Sequence, residues 1–200
     1  GKLGVIAAMQ AIHMSSDRPW AIERLGEQRI KEGAYMWRSL LDSGAKIVNG
    51  TDAPVEPLNP IPSFYASVTR KTLHGKPEGG YEPDQKMTRQ QALRSYTLDA
   101  AYGAFEEKLK GSIEVGKLAD FTVFSHDIMT VPEDQILETE VLMTIIGGKV
   151  VYEKKKARKK GRVRSFPLDY RLASYTFKNF IAFVFTISRS AVMVGSLYTC

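Results

Sequence analysis

The chain has 200 residues, of which 44% are hydrophobic and 25% charged, a composition typical of a globular protein with one sizeable core or two small ones. Its only cysteine is Cys200, which excludes an internal disulfide and argues against a cysteine-based metal cluster or a thiol nucleophile. The first residues show neither the basic region nor the apolar stretch of a signal or transit peptide, so we expect a cytoplasmic protein.

The net charge of +6 is unevenly distributed along the chain. Residues 153–200 hold eleven Lys or Arg and two acids, and eight of the basic residues lie between residues 154 and 164. Residues 1–152 hold 17 basic and 20 acidic residues, a net charge of −3. The high isoelectric point therefore belongs to the tail, and it does not predict a polyanionic partner for the rest of the chain.

Two short apolar runs in the first fifty residues predict buried strands. The first is "GVIAAMQ" (residues 4–10), which has no helical period and leads to His13. The second is "AKIVNG" (residues 45–50), which leads to Asp52. Between them, "KEGAYMWRSLLDSG" (residues 31–44) predicts a helix, because its large apolar residues share one face.

Two further helices are predicted after the second strand. One covers "IPSFYASVTR" (residues 61–70) and the other "TRQQALRSYTLDAAYGAF" (residues 88–105). The second opens with Thr88 and has Gln91 three residues later, which is the signature of a capping box. This signature makes residue 88 the predicted start of the helix.

From residue 111 onward the pattern changes to strands. The stretches "GSIEVGKLADFTVF" (residues 111–124) and "EVLMTIIGGKVVYE" (residues 140–153) are rich in β-branched residues. Gly147 and Gly148 separate two strand-like runs as a tight hairpin would. The order is therefore strand, helix, strand, two helices and a small β unit.

Each of the first two strands is followed by a polar side chain, His13 or Asp52, and then by a helix. This order fits the last units of a (β/α)8 barrel, in which the chemistry lies at the carboxyl ends of the strands. An acid in this position can bind a divalent cation and accept a proton from water. The structural alternative is that Asp52 forms an Asx-turn or a helix N-cap, and the local sequence leaves both open.

Several separated stretches together resemble one family. They are "GVIAAMQAIHMSSDRPWAIERLG", "GAYMWRSLLDSG", "NGTDAPVEPLNPIPSFYASVTRK", "QKMTRQQALRSYTLDAAYGAFEE" and "KGSIEVGKLADFTVF". In this order they are similar to the C-terminal part of the metal-dependent amidohydrolases of the amidohydrolase 3 group. That group includes predicted exoenzyme regulatory proteins and formamide deformylase-like enzymes. The resemblance covers residues 1–153 and is specific because separate motifs agree.

The resemblance implies an α/β fold, with the C-terminal units of a TIM-type barrel in residues 1–105 and part of a small β-sandwich in residues 106–153. It matches Asp52 to the aspartate after the eighth barrel strand, which is a metal ligand and the catalytic acid/base group. It matches His13 to the histidine of the family's MQPxH element, where a substrate or metal contact is expected. Ala11 replaces the usual proline of that element.

The chemistry that this resemblance implies is hydrolysis of a small, amide-type, non-peptide C–N bond. The implied cofactor is a divalent metal ion, with zinc first and manganese, iron or cobalt as alternatives. Such an ion lowers the pKa of water and polarises the carbonyl group. Asp52 would accept the proton of that water and pass it to the leaving nitrogen. A homo-oligomer is compatible with the resemblance.

The family's His-x-His pair of the first strand, and the ligands of its middle strands, have no counterpart in this chain. The resemblance therefore predicts an incomplete fragment, inactive by itself. The other histidines, His74 and His126, fall where the family has no ligand, and we interpret them as solvated loop residues.

The tail has no counterpart in the family. We divide it into a basic linker (residues 154–164) and an unassigned segment (residues 165–200). The linker could bind nucleic acid or anionic lipid through counterion release, but no interleaved aromatic residues predict specific nucleic-acid readout. The apolar run at residues 177–187 is too short to span a bilayer and could form a strand or a surface-associated helix. Read-through past a disrupted gene end is a further interpretation.

Two functions from different classes remain open. The first is a metal-dependent amidohydrolase of which this chain carries part of the active site. The second is a non-catalytic barrel remnant whose basic tail binds polyanions.

Overall fold

A computed structural model of the chain describes residues 1–155 and, as backbone strands only, residues 182–188 and 191–196. Its α-helices are α1 (Ile12–Ser16), α2 (Arg18–Leu25), α3 (Glu27–Gly33), α4 (Trp37–Asp42), α5 (Ile61–Thr69), α6 (Arg89–Tyr96) and α7 (Leu98–Gly103). Its strands are β1 (Ala7–Met9), β2 (Ile47–Asn49), β3 (Phe121–Phe124), β4 (Val141–Ile146), β5 (Lys149–Glu153), β6 (Ala182–Ser188) and β7 (Ala191–Ser196). Short 3₁₀ helices occupy Pro83–Gln85 and Glu133–Glu138.

Strands β1 and β2 form a parallel two-stranded sheet. Their pairing runs from Ala7 opposite Ile47 to Met9 opposite Asn49, and the Gly50 N–H extends it by donating to the Met9 carbonyl. Both strands therefore end at the same edge, as the sequence predicts. The prediction that both are buried is wrong for β1, which is shorter than residues 4–10 and partly exposed, because its described sheet has β2 as the one neighbouring strand. Adjacent parallel strands are what the end of a barrel requires, and a closed barrel stays a prediction.

Helix α5 lies at the centre of the core, and every one of its residues except Pro62 is buried. Its serine and threonine side chains are paired: the Ser67 and Thr69 hydroxyls donate to carbonyls one turn earlier, and the Ser63 hydroxyl bonds the Tyr96 hydroxyl on α6. Such pairing is needed because a buried hydroxyl without a partner costs about 1–3 kcal/mol. Burial raises the pKa of Tyr96 to about 12, so this phenol stays neutral.

The predicted start of the helix at residue 88 is confirmed. The Gln91 N–H donates to Thr88 Oγ1 at 3.1 Å, and the Thr88 N–H donates to Gln91 Oε1 at 2.9 Å, which completes the capping box. The predicted single helix is nevertheless divided into α6 and α7 at Thr97, whose φ of −124° and ψ of −92° interrupt the helical backbone. The helix predicted over residues 31–44 is likewise interrupted around Tyr35, which has a φ of 56°: its first residues form the end of α3, and α4 begins at Trp37.

A second, antiparallel sheet has the strand order β5-β4-β3-β6-β7. Gly147 and Gly148, both with positive φ, join β4 to β5 as the predicted hairpin. Strand β3 is shorter than the stretch 111–124 that the pattern indicated. A β-sandwich consists of two packed sheets, and the sheet described here is one, so the predicted β-sandwich stays a prediction. The domain boundary at residue 105 also stays a prediction.

Strands β6 and β7 lie in the segment that the sequence left unassigned, and β6 pairs with β3. For the part of the run 177–187 that lies in β6, the strand alternative is therefore the correct one. Within the described residues, no helix is both long and apolar enough to cross a bilayer. The basic linker beyond residue 155 and Cys200 lie outside the described residues.

A buried arginine joins three separate parts of the chain. The side chain of Arg70, at the C-terminal end of α5, is 0% exposed. Its Nη1 donates to the Tyr35 carbonyl at 2.8 Å, and its Nε donates to the Tyr81 carbonyl. Its Nη2 lies 3.0 Å from Glu82 Oε2, and the guanidinium stacks on the Trp37 ring. These contacts replace the water that a buried guanidinium loses.

A second arginine completes this group. Arg18, at the start of α2, places its Nη2 2.7 Å from Glu82 Oε1 and stacks its guanidinium over the Tyr81 ring. We call Arg18, Trp37, Arg70, Tyr81 and Glu82 the arginine cluster. Glu82 is its single acid and accepts from both guanidinium groups. The cluster therefore fixes α2 and α5 to the loop that contains Tyr81 and Glu82.

We predict that Glu82→Ala lowers the free energy of unfolding by about 3–5 kcal/mol, because it leaves two buried guanidinium groups without their acid. Urea denaturation of the full chain measures this. Glu27→Ala is the matched control: it removes another acid–base pair, with Lys31, whose two side chains are mostly exposed. A loss of stability that is no larger for Glu82→Ala than for Glu27→Ala would contradict the importance of the cluster.

The same cluster predicts a pH dependence. Burial raises the pKa of Glu82, but hydrogen bonds from Arg18 and Arg70 outweigh burial and hold the pKa below the ordinary value of 4.5. A carboxylate with a lowered pKa stabilises the fold above its unfolded-state pKa, and this contribution is lost as the pH falls through the folded-state pKa. We therefore expect the stability difference between wild type and Glu82→Gln to be constant near neutral pH and to shrink below about pH 4.5. A difference that grows on acidification would show that the sign is wrong.

Candidate active site

The two predicted site residues lie next to each other. His13 is the second residue of α1, which follows β1, and Asp52 follows β2. The His13 Nε2 atom is 3.5 Å from the Asp52 Oδ2 atom. Their side chains therefore meet at the carboxyl edge of the two parallel strands. We call these two residues the His13–Asp52 pair.

His13 presents an unused ring nitrogen. Its Nε2 atom is buried and makes no hydrogen bond, because the approach of Asp52 at 3.5 Å does not satisfy hydrogen-bond geometry. The two side chains differ in exposure, at 23% for His13 and 45% for Asp52. An unprotonated imidazole nitrogen and a carboxylate are both ordinary ligands of divalent metals.

The spacing of the pair is compatible with a shared metal ion. Two ligands of a tetrahedral zinc ion, at bond lengths of about 2.0–2.2 Å, lie about 3.4 Å apart. The observed separation of His13 Nε2 and Asp52 Oδ2 is 3.5 Å. Within the described ranges, however, no group of three or more His, Cys, Asp or Glu residues could hold a metal ion. The pair therefore fits a part of a metal site.

The structural alternatives for Asp52 are not observed. Helix α5 begins at Ile61, so Asp52 is not its N-cap. In the part of the chain that the structure describes, no backbone N–H donates to the Asp52 carboxylate; instead, the Asp52 carbonyl accepts the Val55 N–H at 2.8 Å. The backbone of Asp52 has a φ of 60°, in the left-handed region that Asp tolerates better than most residues.

The carboxyl end of β2 is held firmly in place. Asn49 is buried, and its Nδ2 donates to Ser95 Oγ on α6 at 2.8 Å. Helix α7 packs closely on the neighbouring residue, Val48. If Gly103 of α7 carried a Cβ atom, that atom would lie only 3.0 Å from the Val48 Cγ1 atom. The start of the Asp52 segment is therefore fixed by the helices behind the strand.

The other two histidines agree with their interpretation as solvated loop residues. His74 and His126 are both exposed and lie outside the helices and strands. His126 Nδ1 is 3.0 Å from the Ser125 hydroxyl, an adjacent residue. Neither joins the His13–Asp52 pair.

The structure adds two residues that the sequence did not indicate. Ser16, the last residue of α1, donates its hydroxyl to Glu56 Oε1 at 2.6 Å. Both residues line a cleft of about 260 Å³ beside α1, together with Ile12, Ser15, Pro19, Thr72, Leu73 and His74. No local pattern could have indicated this bond, because its partners are 40 residues apart.

Parallel strands with functional side chains at their carboxyl edge are typical of α/β enzymes, in which that edge carries the chemistry. Comparison with known proteins identifies the family within this broad class. Residues 1–152 match the family model of the Amidohydrolase family, and the chain belongs to that family. The resemblance to the amidohydrolase 3 group is thereby confirmed.

Two curated relatives and one solved structure illustrate the similarity. YtcJ of Bacillus subtilis (strain 168), a protein named as an amidohydrolase, is 34% identical over 153 residues, or 76% of this chain. The N-substituted formamide deformylase of Arthrobacter pascens is 33% identical over 129 residues, or 64% of this chain. An uncharacterized metal-dependent hydrolase from Pyrococcus horikoshii OT3 matches 66% of this chain with 31% identity and a TM-score of 0.54.

The chain is much shorter than these proteins. It spans 29% of the Bacillus protein, 23% of the Arthrobacter protein and 26% of the Pyrococcus chain.

Proposed function

We propose that this chain supplies part of the active site of a metal-dependent hydrolase that cleaves the C–N bond of a small, non-peptide amide. The observation that carries the proposal is the His13–Asp52 pair, with its unpartnered Nε2 atom 3.5 Å from a carboxylate oxygen at the carboxyl edge of two parallel strands. Membership of the Amidohydrolase family supports the reaction class. The name of the Arthrobacter relative supports a substrate such as an N-substituted formamide.

The proposed cofactor is a divalent ion, with zinc preferred and manganese, iron or cobalt as alternatives. His13 Nε2 and Asp52 Oδ2 would hold it. Catalytic zinc sites usually have three protein ligands, so two residues form only part of the set. We likewise propose that β1 and β2 are the last two units of a (β/α)8 barrel and that residues 106–153 belong to a β-sandwich.

A bound divalent ion would supply Lewis-acid activation of water and of the substrate carbonyl. Asp52 is the residue of this chain that we assign to proton transfer. Its carboxylate takes a proton from the attacking water as the new C–O bond forms, and it gives that proton to the nitrogen as the C–N bond breaks. The products are a carboxylic acid and an amine. Partial exposure of Asp52 leaves room for water and substrate to approach it.

The left-handed backbone of Asp52 agrees with a functional role. Non-glycine residues with positive φ cost about 1–3 kcal/mol each and occur preferentially at functional sites. The described residues provide no observation that favours the polyanion-binding alternative, whose basic run lies largely outside them.

The metal site predicts a measurable pattern of affinity. Zinc titrated into the full chain should bind weakly, because two ligands are too few for a tight site. His13→Gln and Asp52→Asn should each lower the affinity by more than about 10-fold, since even outer contacts of metal ligands cost 10–100-fold. Isothermal titration calorimetry measures this, with His126→Gln as a control that leaves the affinity unchanged. Binding that neither site variant weakens would place the metal elsewhere.

The reaction itself can be tested in a chimera. The part of the Bacillus relative that precedes its match is joined to this chain, and the amine released from a set of N-substituted formamides is measured. We expect hydrolysis that Asp52→Asn reduces by about 10²- to 10⁴-fold, the usual contribution of a general acid/base. His126→Gln should retain full activity. An active chimera that is indifferent to Asp52→Asn would refute the assigned role.

A further inference from the structure

Helix α1, which carries His13, and the segment after β2, which carries Asp52, are joined by a second contact. Ser16 lies three residues after His13 on α1, and Glu56 lies four residues after Asp52 in the segment that follows β2. The Ser16 hydroxyl donates to Glu56 Oε1 at 2.6 Å. A hydroxyl–carboxylate bond of this length belongs to the short, charge-assisted class, which is about twice as strong as a neutral hydrogen bond.

This bond is the main one that the Ser16 hydroxyl makes. Two other acceptors, the Ile12 carbonyl and Asp17 Oδ1, lie at 3.4 Å. The hydroxyl has one hydrogen to donate, and the acceptor at 2.6 Å is the closest by a wide margin. Glu56 is therefore the partner that fixes the orientation of the Ser16 side chain.

Helix α1 and the segment that carries Asp52 differ in how firmly the rest of the structure holds them. Helix α1 is anchored in the core by Ile12 and Met14, which are 2% and 0% exposed, and Arg18 of the arginine cluster follows it directly. The segment of residues 52–55 is exposed. Within the described residues, the Ser16–Glu56 bond and the His13–Asp52 pair are the polar side-chain contacts that join residues 52–56 to another element.

We propose that Glu56 is a positioning residue: through Ser16 it holds the segment of Asp52 against α1 and so sets the distance between Asp52 and His13. The importance of Glu56 for catalysis rests on the proposed function, whereas its role in holding the Asp52 segment does not. Precision matters here, because a displacement of about 1 Å in a reacting group can cost about 100-fold in rate.

The test uses four variants of the full chain labelled with ¹⁵N. Ser16→Ala and Glu56→Ala remove the bond, whereas Ser16→Thr keeps the hydroxyl and Glu56→Gln keeps an acceptor oxygen. In both alanine variants, the NMR order parameters of the backbone amides of residues 51–53, 55 and 56 should fall from near 0.85, the rigid range, towards values below about 0.6. The conservative variants should retain the wild-type values. Unchanged order parameters in the alanine variants would overturn the inference.

Binding of cobalt(II) provides a second measurement, because the visible absorption spectrum of the ion depends on the geometry of its ligands. Each alanine variant should weaken cobalt binding by about 10–100-fold and alter the spectrum, as loss of an outer contact does. The double alanine variant should be no worse than either single one, because both remove the same bond. Glu56→Gln and Ser16→Thr should restore binding and spectrum.

The outcomes separate the two proposals. Loosened residues 51–56 in a chain whose wild type binds no cobalt would refute the metal site and support the positioning inference. A large fall in melting temperature for Glu56→Ala, with an unchanged cobalt spectrum, would show a purely structural role and overturn the inference. Additive losses in the double variant would overturn it as well.

Discussion

The buried guanidinium of Arg70 is the constraint on which the arrangement of this chain depends. A guanidinium has five N–H donors and keeps its charge, so it can be buried only where acceptors surround it. Here Tyr35, Tyr81 and Glu82 supply them from two separate loops, and Arg70 itself ends α5. Because Glu82 also accepts from Arg18, the helix that follows the His13 segment is tied to the same point. Helix α2, which follows α1 in the chain, and the central helix α5 are therefore held by one shared acid.

The backbone around this point is unusual in a consistent way. Tyr35, Arg70 and Glu82 are non-glycine residues with positive φ, at 56°, 55° and 38°. Each such conformation costs about 1–3 kcal/mol and persists only where the surroundings impose it. All three lie where the chain turns to bring a group to the Arg70 guanidinium. The cost is local, and the hydrogen bonds that offset it connect distant parts of the sequence.

The sequence predicts elements whose signals are local and misses contacts that are not. The apolar runs that lead to His13 and Asp52 predict two strands, and the parallel register that brings both residues to one edge follows from the expected chain order. The predicted burial is correct for β2 only, because local apolar content does not show which neighbours cover a strand. The capping box and the Gly147–Gly148 hairpin are likewise specified by neighbouring residues. Arg18 and Glu82 are 64 residues apart, and nothing in either local sequence identifies the other. The breaks at Tyr35 and Thr97 escape prediction because tertiary contacts override helical periodicity there.

The two residues of the His13–Asp52 pair differ in how the fold determines their positions. His13 lies on a helix whose burial is fixed by the core, so its position is a consequence of folding. Asp52 lies in an exposed segment, so its position depends on few contacts, and the short bond between Ser16 and Glu56 is prominent among them. Under the proposed function, Asp52 takes a proton from water and passes it to a nitrogen, and a fully buried carboxylate would lack access to both. For Asp52, this access comes from its exposed segment, and the proposed source of its precise position is the hydrogen bond that Glu56, four residues later, accepts from Ser16 of α1.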